Sequence, residues 1–254
     1  MATTKVDVNL IDASGITSSK YLKGDGTWGT VDALPSQTSQ SGKFLTTDGS
    51  DASWGAVASS GFVAVTFSTD TSGDTWSKST NNPTKIIVEV ISGAGGSGAG
   101  ASGSGGSGGA GSYGMAFIDV STVDTATITV GAGGAAGSSG AGGTGGTSKF
   151  TYATGTGSFT EMECPGGNGG GHANHTGGST TSLPTGPTNG VYVAGNGGGG
   201  ASNSGGVSHG YGASQMGGYT YNAATGYGSA SSGSASTTAG RAGRQGMVVV
   251  WEYK

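Results

Sequence analysis

Three histidines, eight scattered carboxylates and a run of tyrosines are the side chains of this chain best equipped for chemistry. His172-Ala173-Asn174-His175 has the His-x-x-His spacing of some zinc and iron sites, and His209 follows later. A threefold axis can multiply one histidine into three ligands. However, from Cys164 to Gly240 there is no Asp, Glu, Lys or Arg. No local carboxylate is present to orient a ligating imidazole. Solvent-facing loop histidines are the simpler reading, and no metal or other cofactor is expected.

Hydrolysis of a polysaccharide needs two carboxylates in one cleft. The candidates are Asp70, Asp74, Glu89, Asp119, Asp124, Glu161, Glu163 and Glu252. Glu161 and Glu163 share a face if their segment is a strand, but nothing marks a groove. Ser and His occur without a nucleophile elbow or an acid partner. The chain reads as a binding or structural protein, not an enzyme. Tyr211, Tyr219, Tyr221 and Tyr227 lie among Gly, Ser and Asn, a composition resembling antibody binding loops. Tyrosine supplies a rigid apolar face and a hydroxyl, which suits stacking on sugars or docking on protein loops. His172, Asn174, His175 and His209 are candidates for the same receptor-binding surface. The competing role for these tyrosines is to pack as spacers between glycine-rich segments. Trp76 and Trp251 are expected in a sheet core.

Glycine supplies 58 of 254 residues, roughly three times its usual share. Charged residues make up 9%, and the formal net charge is -4. Without a Lys/Arg cluster to neutralise phosphates, nucleic acid is not an expected partner. One cysteine, Cys164, excludes an internal disulfide framework. The N-terminus lacks the apolar stretch of a signal peptide, and no segment has the length of an apolar membrane span. Synthesis in a cytoplasm with release by lysis is the expectation.

Two regions follow different rules. Residues 1–60 contain an imperfect repeat: Lys20-Tyr21-Leu22, Asp25-Gly26 and Trp28-Gly29-Thr30-Val31 align with Lys43-Phe44-Leu45, Asp48-Gly49 and Trp54-Gly55-Ala56-Val57. Asp-Gly between short apolar runs predicts tight hairpins. An isolated hairpin is marginal in water, so these units need neighbours to cover their apolar side chains. A homotrimeric stalk with the aromatic and Leu positions turned inward meets that need.

Residues 61–254 alternate β-branched runs with glycine tracts. Strands are predicted over Gly61 to Phe67, Lys85 to Ile91, Ala126 to Val130 and Met247 to Tyr253, with weaker ones at Tyr113 to Val120, Lys149 to Ala153, Phe159 to Met162 and Val191 to Ala194. No apolar run has helical spacing, so the fold is all-β. Gly131, Gly134, Gly137, Gly140, Gly143 and Gly146 fall on every third residue. Three residues per turn is the repeat of a left-handed extended helix. A glycine edge on such a helix lets neighbours approach until backbone groups meet. Low proline and broken register exclude collagen, and strands flanking every tract argue against a flexible linker. The expected head is a β-sandwich-like base with polyglycine-II loops packed above it.

The Lys-aromatic-Leu, Asp-Gly, Trp-Gly-x-Val repeats resemble those of phage tail-fibre proteins. The head resembles the glycine-rich domain at phage fibre tips. The residues that carry this are Ile87-Val88-Glu89-Val90-Ile91-Ser92-Gly93-Ala94-Gly95-Gly96, Thr129-Val130-Gly131-Ala132-Gly133-Gly134, and Ala239-Gly240-Arg241-Ala242-Gly243-Arg244-Gln245-Gly246 running into Met247-Val248-Val249-Val250-Trp251-Glu252-Tyr253. The resemblance implies a virion protein that attaches to a host outer-membrane polysaccharide or protein, with its N-terminus held by a baseplate or other tail protein. A purely structural fibre or spike is the alternative. Because this chain carries its own stalk repeats, a self-contained trimer is expected in place of a detachable monomeric tip.

Overall fold

The structure, a computed structural model, describes residues 20–24, 27–30, 35–56, 61–79, 82–100, 104–153, 159–172, 178–179, 182–199, 226–234 and 239–254. The chain divides into two compact units, Met1–Ser59 and Ser60–Lys254. Strands are the regular elements of both, and no helix occurs among the described residues.

The first unit holds two antiparallel hairpins, β1 (Lys20–Leu22) with β2 (Trp28–Thr30) and β3 (Lys43–Thr47) with β4 (Ala52–Ala56). Each sequence repeat is one hairpin. The register puts Tyr21 opposite Gly29 and Phe44 opposite Gly55, with Leu22 opposite Trp28 and Leu45 opposite Trp54. The repeated pairing of an aromatic with a glycine has a steric cause. A Cβ on Gly29 would lie 2.8 Å from the Tyr21 ring, and one on Gly55 would lie 3.2 Å from the Phe44 ring. In the second hairpin Gly49 takes a positive φ of 100°, and the Asp48 carboxylate accepts the N–H groups of Ser50 and Asp51. These short sheets cover little. Tyr21, Phe44 and Leu45 remain 51, 49 and 43% exposed, while the Trp54 indole N–H donates to the Pro35 carbonyl at 3.0 Å.

The second unit is a sandwich of two antiparallel sheets. One orders its strands β11 (Phe159–Cys164), β10 (Ser148–Ala153), β9 (Thr125–Thr129) and β6 (Asp74–Ser77). The other runs β12 (Gly190–Val193), β8 (Tyr113–Asp119), β7 (Lys85–Ile91), β13 (Met247–Tyr253) and β5 (Phe62–Ser68). The strands expected from sequence are present; β6 escaped, because Asp74-Thr75-Trp76-Ser77 offers a single apolar residue. That residue, Trp76, is a core side chain, packed with Ile86, Val88, Ile128, Phe150 and Val250. Its indole N–H donates 2.8 Å to the buried Glu252 carboxylate, tying one sheet to the other. Trp251 departs from expectation. Alternation along β13 sends Val248, Val250 and Glu252 into the core, so Trp251 lies half-buried on the opposite face of its sheet.

Extended glycine-rich arms leave and re-enter the strand ends: 92–99 after β7, 104–112 before β8, 131–138 after β9, 140–147 before β10, 165–172 after β11, 194–199 after β12, and 239–246 before β13. An eighth described arm spans 228–234. Their hydrogen bonds rotate through neighbours with a period of three. From arm 92–99, the N–H groups of Ser92, Gly95 and Gly98 donate to Ser112, Gly109 and Gly106; those of Gly93, Gly96 and Ala99 to Gly146, Gly143 and Gly140; and those of Ala94 and Ser97 to Arg244 and Arg241. In return Gly134 and Gly137 donate to its Ala94 and Ser97 carbonyls, and Gly167 and Gly170 to those of Gly93 and Gly96. Ser231 of the eighth arm supplies a sixth neighbour through its hydroxyl. This is polyglycine-II packing, a three-per-turn helix hydrogen-bonded sideways.

All residues of 92–99 and 105–112 are buried, and every N–H from Ser92 to Ala99 has an acceptor. That satisfies the rule that buried backbone groups be paired. The every-third glycines mark the seam between two arms that fold back on each other: Gly131, Gly134 and Gly137 abut Gly146, Gly143 and Gly140. A Cβ on Gly96 would come within 3.0 Å of backbone atoms of Gly134 and Ala135, whereas one on Gly140 would meet nothing within 4 Å. Gly96→Ala is therefore expected to cost at least about 3 kcal/mol, since neither neighbouring backbone can retreat without breaking its own bonds. Gly140→Ala should be neutral or slightly stabilising through the unfolded chain. Thermal unfolding of the two variants by circular dichroism checks the contrast; equal midpoints would show that the bundle tolerates side chains on its inner arms.

Candidate functional site

Of the eight residues expected to bind a receptor, His172 and Tyr227 are described; Asn174, His175, His209, Tyr211, Tyr219 and Tyr221 lie outside the described residues. His172 ends arm 165–172 at the end of the bundle remote from the sandwich, directly after Gly171, which accepts from Gly106. Tyr227 precedes Gly228, whose carbonyl accepts from Gly111, next to the start of β8. Five residues separate Gly106 from Gly111 on one extended arm, roughly 15 Å at the rise of such a helix. The two described candidates thus occupy different levels of the bundle.

At its own level Tyr227 is exposed and lines a cavity of about 460 Å³ with Gly133, Gly226, Gly243, Arg244 and Gln245. Gln245 is anchored by its side-chain amide to the Thr69 carbonyl at 2.7 Å. Arg241 and Arg244 recur at three-residue spacing, which puts them on one edge of arm 239–246, and both are exposed. An aromatic face, a carboxamide and guanidinium groups form a polar setting suited to hydroxyls and acidic substituents. The signal was in the sequence as Gly240-Arg241-Ala242-Gly243-Arg244-Gln245, the sole basic pair near the glycine tracts. It served there only as a family landmark.

The carboxylates hold structure together. Lys149 bridges Glu161 and Glu163, 2.9 Å from each, across β10 and β11. Those two bonds raise the Lys149 pKa, Glu163 contributing more than Glu161, and the same lysine lowers that of Glu161. Asp74 accepts from Ser68, Asp70 from Ser72 and Asp119 from Ser121. Glu252 accepts from Trp76. Among the described residues, no three His, Cys, Asp or Glu side chains are grouped to hold a metal.

A second feature was missed. The outward face of the five-stranded sheet is apolar and aromatic, built from β5, β13, β7, β8 and β12. Cross-strand register places Phe67 beside Val249, Val65 beside Trp251, Ile87 beside Phe117 and Met115 beside Val191. Glu89 is the acidic group at its middle. One carboxylate oxygen accepts the Trp251 indole N–H at 2.8 Å, and the other accepts the Tyr113 hydroxyl at 2.9 Å. The sequence marks β5 and β8 as strands, but a strand prediction does not say that both faces of its sheet are apolar.

The chain belongs to the family described as a glycine-rich domain, whose pattern it matches over residues 68–250. That span takes in every described glycine arm and the sandwich apart from most of β5 and the end of β13. No curated protein matches the chain.

Several protonated groups are held in that form by the fold. Burial, then the hydrogen bond and charge of Glu89, push Tyr113 well above the usual tyrosine value. Burial raises Tyr152 and Tyr192, and pushes the Cys164 thiol up to about 12. A raised folded-state value stabilises fully below the unfolded value and is lost as pH rises toward the folded one. The thermal midpoint should therefore hold up to about pH 9, where unfolded Cys and Tyr begin to ionise, and fall steadily above it. Tyr113→Phe should shallow the fall. A midpoint independent of pH between 8 and 11 would contradict this assignment.

Proposed function

We propose that this chain is a virion tail-fibre protein whose glycine-rich head attaches a bacteriophage to a polysaccharide or protein receptor on its host's outer surface. The observation that carries the reading is the dense backbone hydrogen bonding of the bundle. Arm 92–99 is wholly buried and hydrogen-bonded to six neighbours, and arms 131–138 and 140–147 fold back on each other at the end remote from the sandwich. Recognition residues are disproportionately found on loops held by a rigid scaffold. Sequence can vary in such connections without disturbing the backbone lattice beneath them. His172 stands at that end, and residues 173–177 and 200–225, with their His, Asn and Tyr, follow described arms. The low charge of the chain suits a neutral glycan or a polar protein loop better than a polyanion.

A homotrimer forms part of the proposal. Two-stranded sheets that leave Tyr21, Phe44 and Leu45 exposed gain a core only by association. In the virion, the N-terminal unit joins a baseplate or other tail protein. No chemistry on the receptor is invoked, since the described carboxylates are bound into the fold.

Two measurements bear on this reading. Light scattering of the purified chain should give three times 24.1 kDa; a mass of 24.1 kDa at all concentrations removes the trimer. Fluorescently labelled protein should bind host cells saturably and block phage adsorption. Replacing residues 205–228 with a Gly-Ser segment of equal length should abolish binding while leaving the sandwich folded. Absence of binding by the folded, trimeric protein would leave a structural fibre.

A further inference from the structure

The walls of the cavity of about 460 Å³ beside Tyr227 are held in place by backbone hydrogen bonds between neighbouring segments. The Gly226 carbonyl accepts the Ser229 N–H at 3.2 Å, closing a turn in which Gly228 takes a φ of 65°. Tyr227 stands at the corner of that turn and is 39% exposed. Gly228 donates to the Gln245 carbonyl and Arg244 to that of Ser229, so the turn and arm 239–246 fix each other. Gly243 in turn donates to Gly134, which sets the third wall at Gly133. The Gln245 side chain is anchored as well, because its amide donates to the Thr69 carbonyl. Its carboxamide oxygen keeps its capacity to accept. Gly133 makes no hydrogen bond among the described residues, so its peptide N–H and carbonyl keep theirs too.

We infer that this cavity takes a sugar residue carrying one anionic substituent, a carboxylate or a phosphate; the inference rests on the attachment to a host polysaccharide proposed above and names the unit bound. Charge selects the anion. Arg244 lines the cavity, and Arg241 lies one turn away along the same edge, roughly 9 Å at the rise of such a helix. No carboxylate is among the described lining residues, and the chain from Cys164 to Gly240 holds neither Asp nor Glu. Asp70, next to the Thr69 that anchors Gln245, accepts the N–H and the hydroxyl of Ser72. A guanidinium binds carboxylate or phosphate through paired N–H donors. The other walls select the sugar. The Tyr227 ring offers a flat apolar face to the C–H side of a pyranose. The Gln245 oxygen and the Gly133 peptide offer partners to its hydroxyls. A bare inorganic anion would use the arginine alone. The volume lies within the range of small-molecule sites and is too small for a folded partner. A single anionic substituent also agrees with the net charge of -4, which would oppose a polyanion.

The test uses the full chain and three probes titrated by calorimetry: methyl glucuronide, a phosphorylated glucose and methyl glucoside. At least one anionic sugar should bind about tenfold or more tightly than the glucoside, and the preferred one tells a carboxylated from a phosphorylated receptor sugar. Arg244→Gln should erase that preference with unchanged circular dichroism, since the side chain is exposed and the residue's N–H keeps its bond to Ser229. Tyr227→Ala should weaken every sugar that binds; indifference to it reduces the cavity to an anion site and overturns the sugar. Equal binding of anionic and neutral sugars overturns the inference, as does a preference that survives Arg244→Gln. Failure of the folded chain to bind any of the three overturns it too. Host-cell binding by the same preparations keeps the two readings apart. Saturable cell binding without an anionic-sugar preference overturns the cavity assignment and leaves attachment standing. An Arg244-dependent preference in a chain that binds no host cell supports the cavity assignment and removes attachment.

Discussion

Backbone hydrogen bonding between chains of residues that lack a Cβ is the interaction on which this molecule depends. A sheet bonds sideways in one plane, so its faces need side chains to bury. A polyglycine-II arm bonds outward in three directions, and six such arms around a seventh satisfy its buried amides with almost no apolar volume. The cost is conformational, since glycine surrenders more backbone freedom on folding than any other residue. Each hydrogen bond contributes only about 0.5–1.5 kcal/mol net. The bundle is therefore stable as a whole or not at all, and its arms need a fixed starting geometry.

The sandwich provides that geometry. Strands β7, β9 and β11 feed arms 92–99, 131–138 and 165–172 outward, and β8, β10 and β13 receive the returning arms. Adjacent strand ends set the arms side by side in register. The core beneath is conventional: Phe150, Ile128, Met162 and the valines of β7 and β13, closed by the Trp76–Glu252 hydrogen bond. Gly114 gives space within it, because a Cβ there would meet the Met162 methyl at 2.7 Å. The same residue type thus serves the side-chain-packed core and the backbone-packed bundle by one property, the room it leaves for a neighbour.

Strand positions were legible in the sequence because β-branched runs such as Lys85 to Ile91 and Met247 to Tyr253 have no competing reading. The three-residue glycine period was legible for a similar reason. A glycine edge is needed wherever two arms touch, and between 131 and 146 the same edge is used without interruption. Trp76 was placed correctly in the core, yet β6 went unseen, since one tryptophan among Asp, Thr and Ser carries no periodicity. Trp251 was misplaced because alternation identifies two faces without naming the inner one. Of the candidate receptor residues, the two described, His172 and Tyr227, sit at different levels, a separation that follows from arm pairing and not from their spacing in the chain.

By itself the sequence determined the all-β character, the hairpin repeats and the glycine helices, because each follows from local sterics: where a Cβ is absent, where φ must be positive, where branching favours extended chain. Partner identities came from the tertiary structure alone. Which arm accepts from Gly95, which carboxylate meets Trp251, and which sheet turns an apolar face outward are all relations between residues distant in the chain. Glycine arms are nearly interchangeable in local preference, so their neighbours are set by the order of strands in the sandwich and not by any feature of the arms themselves.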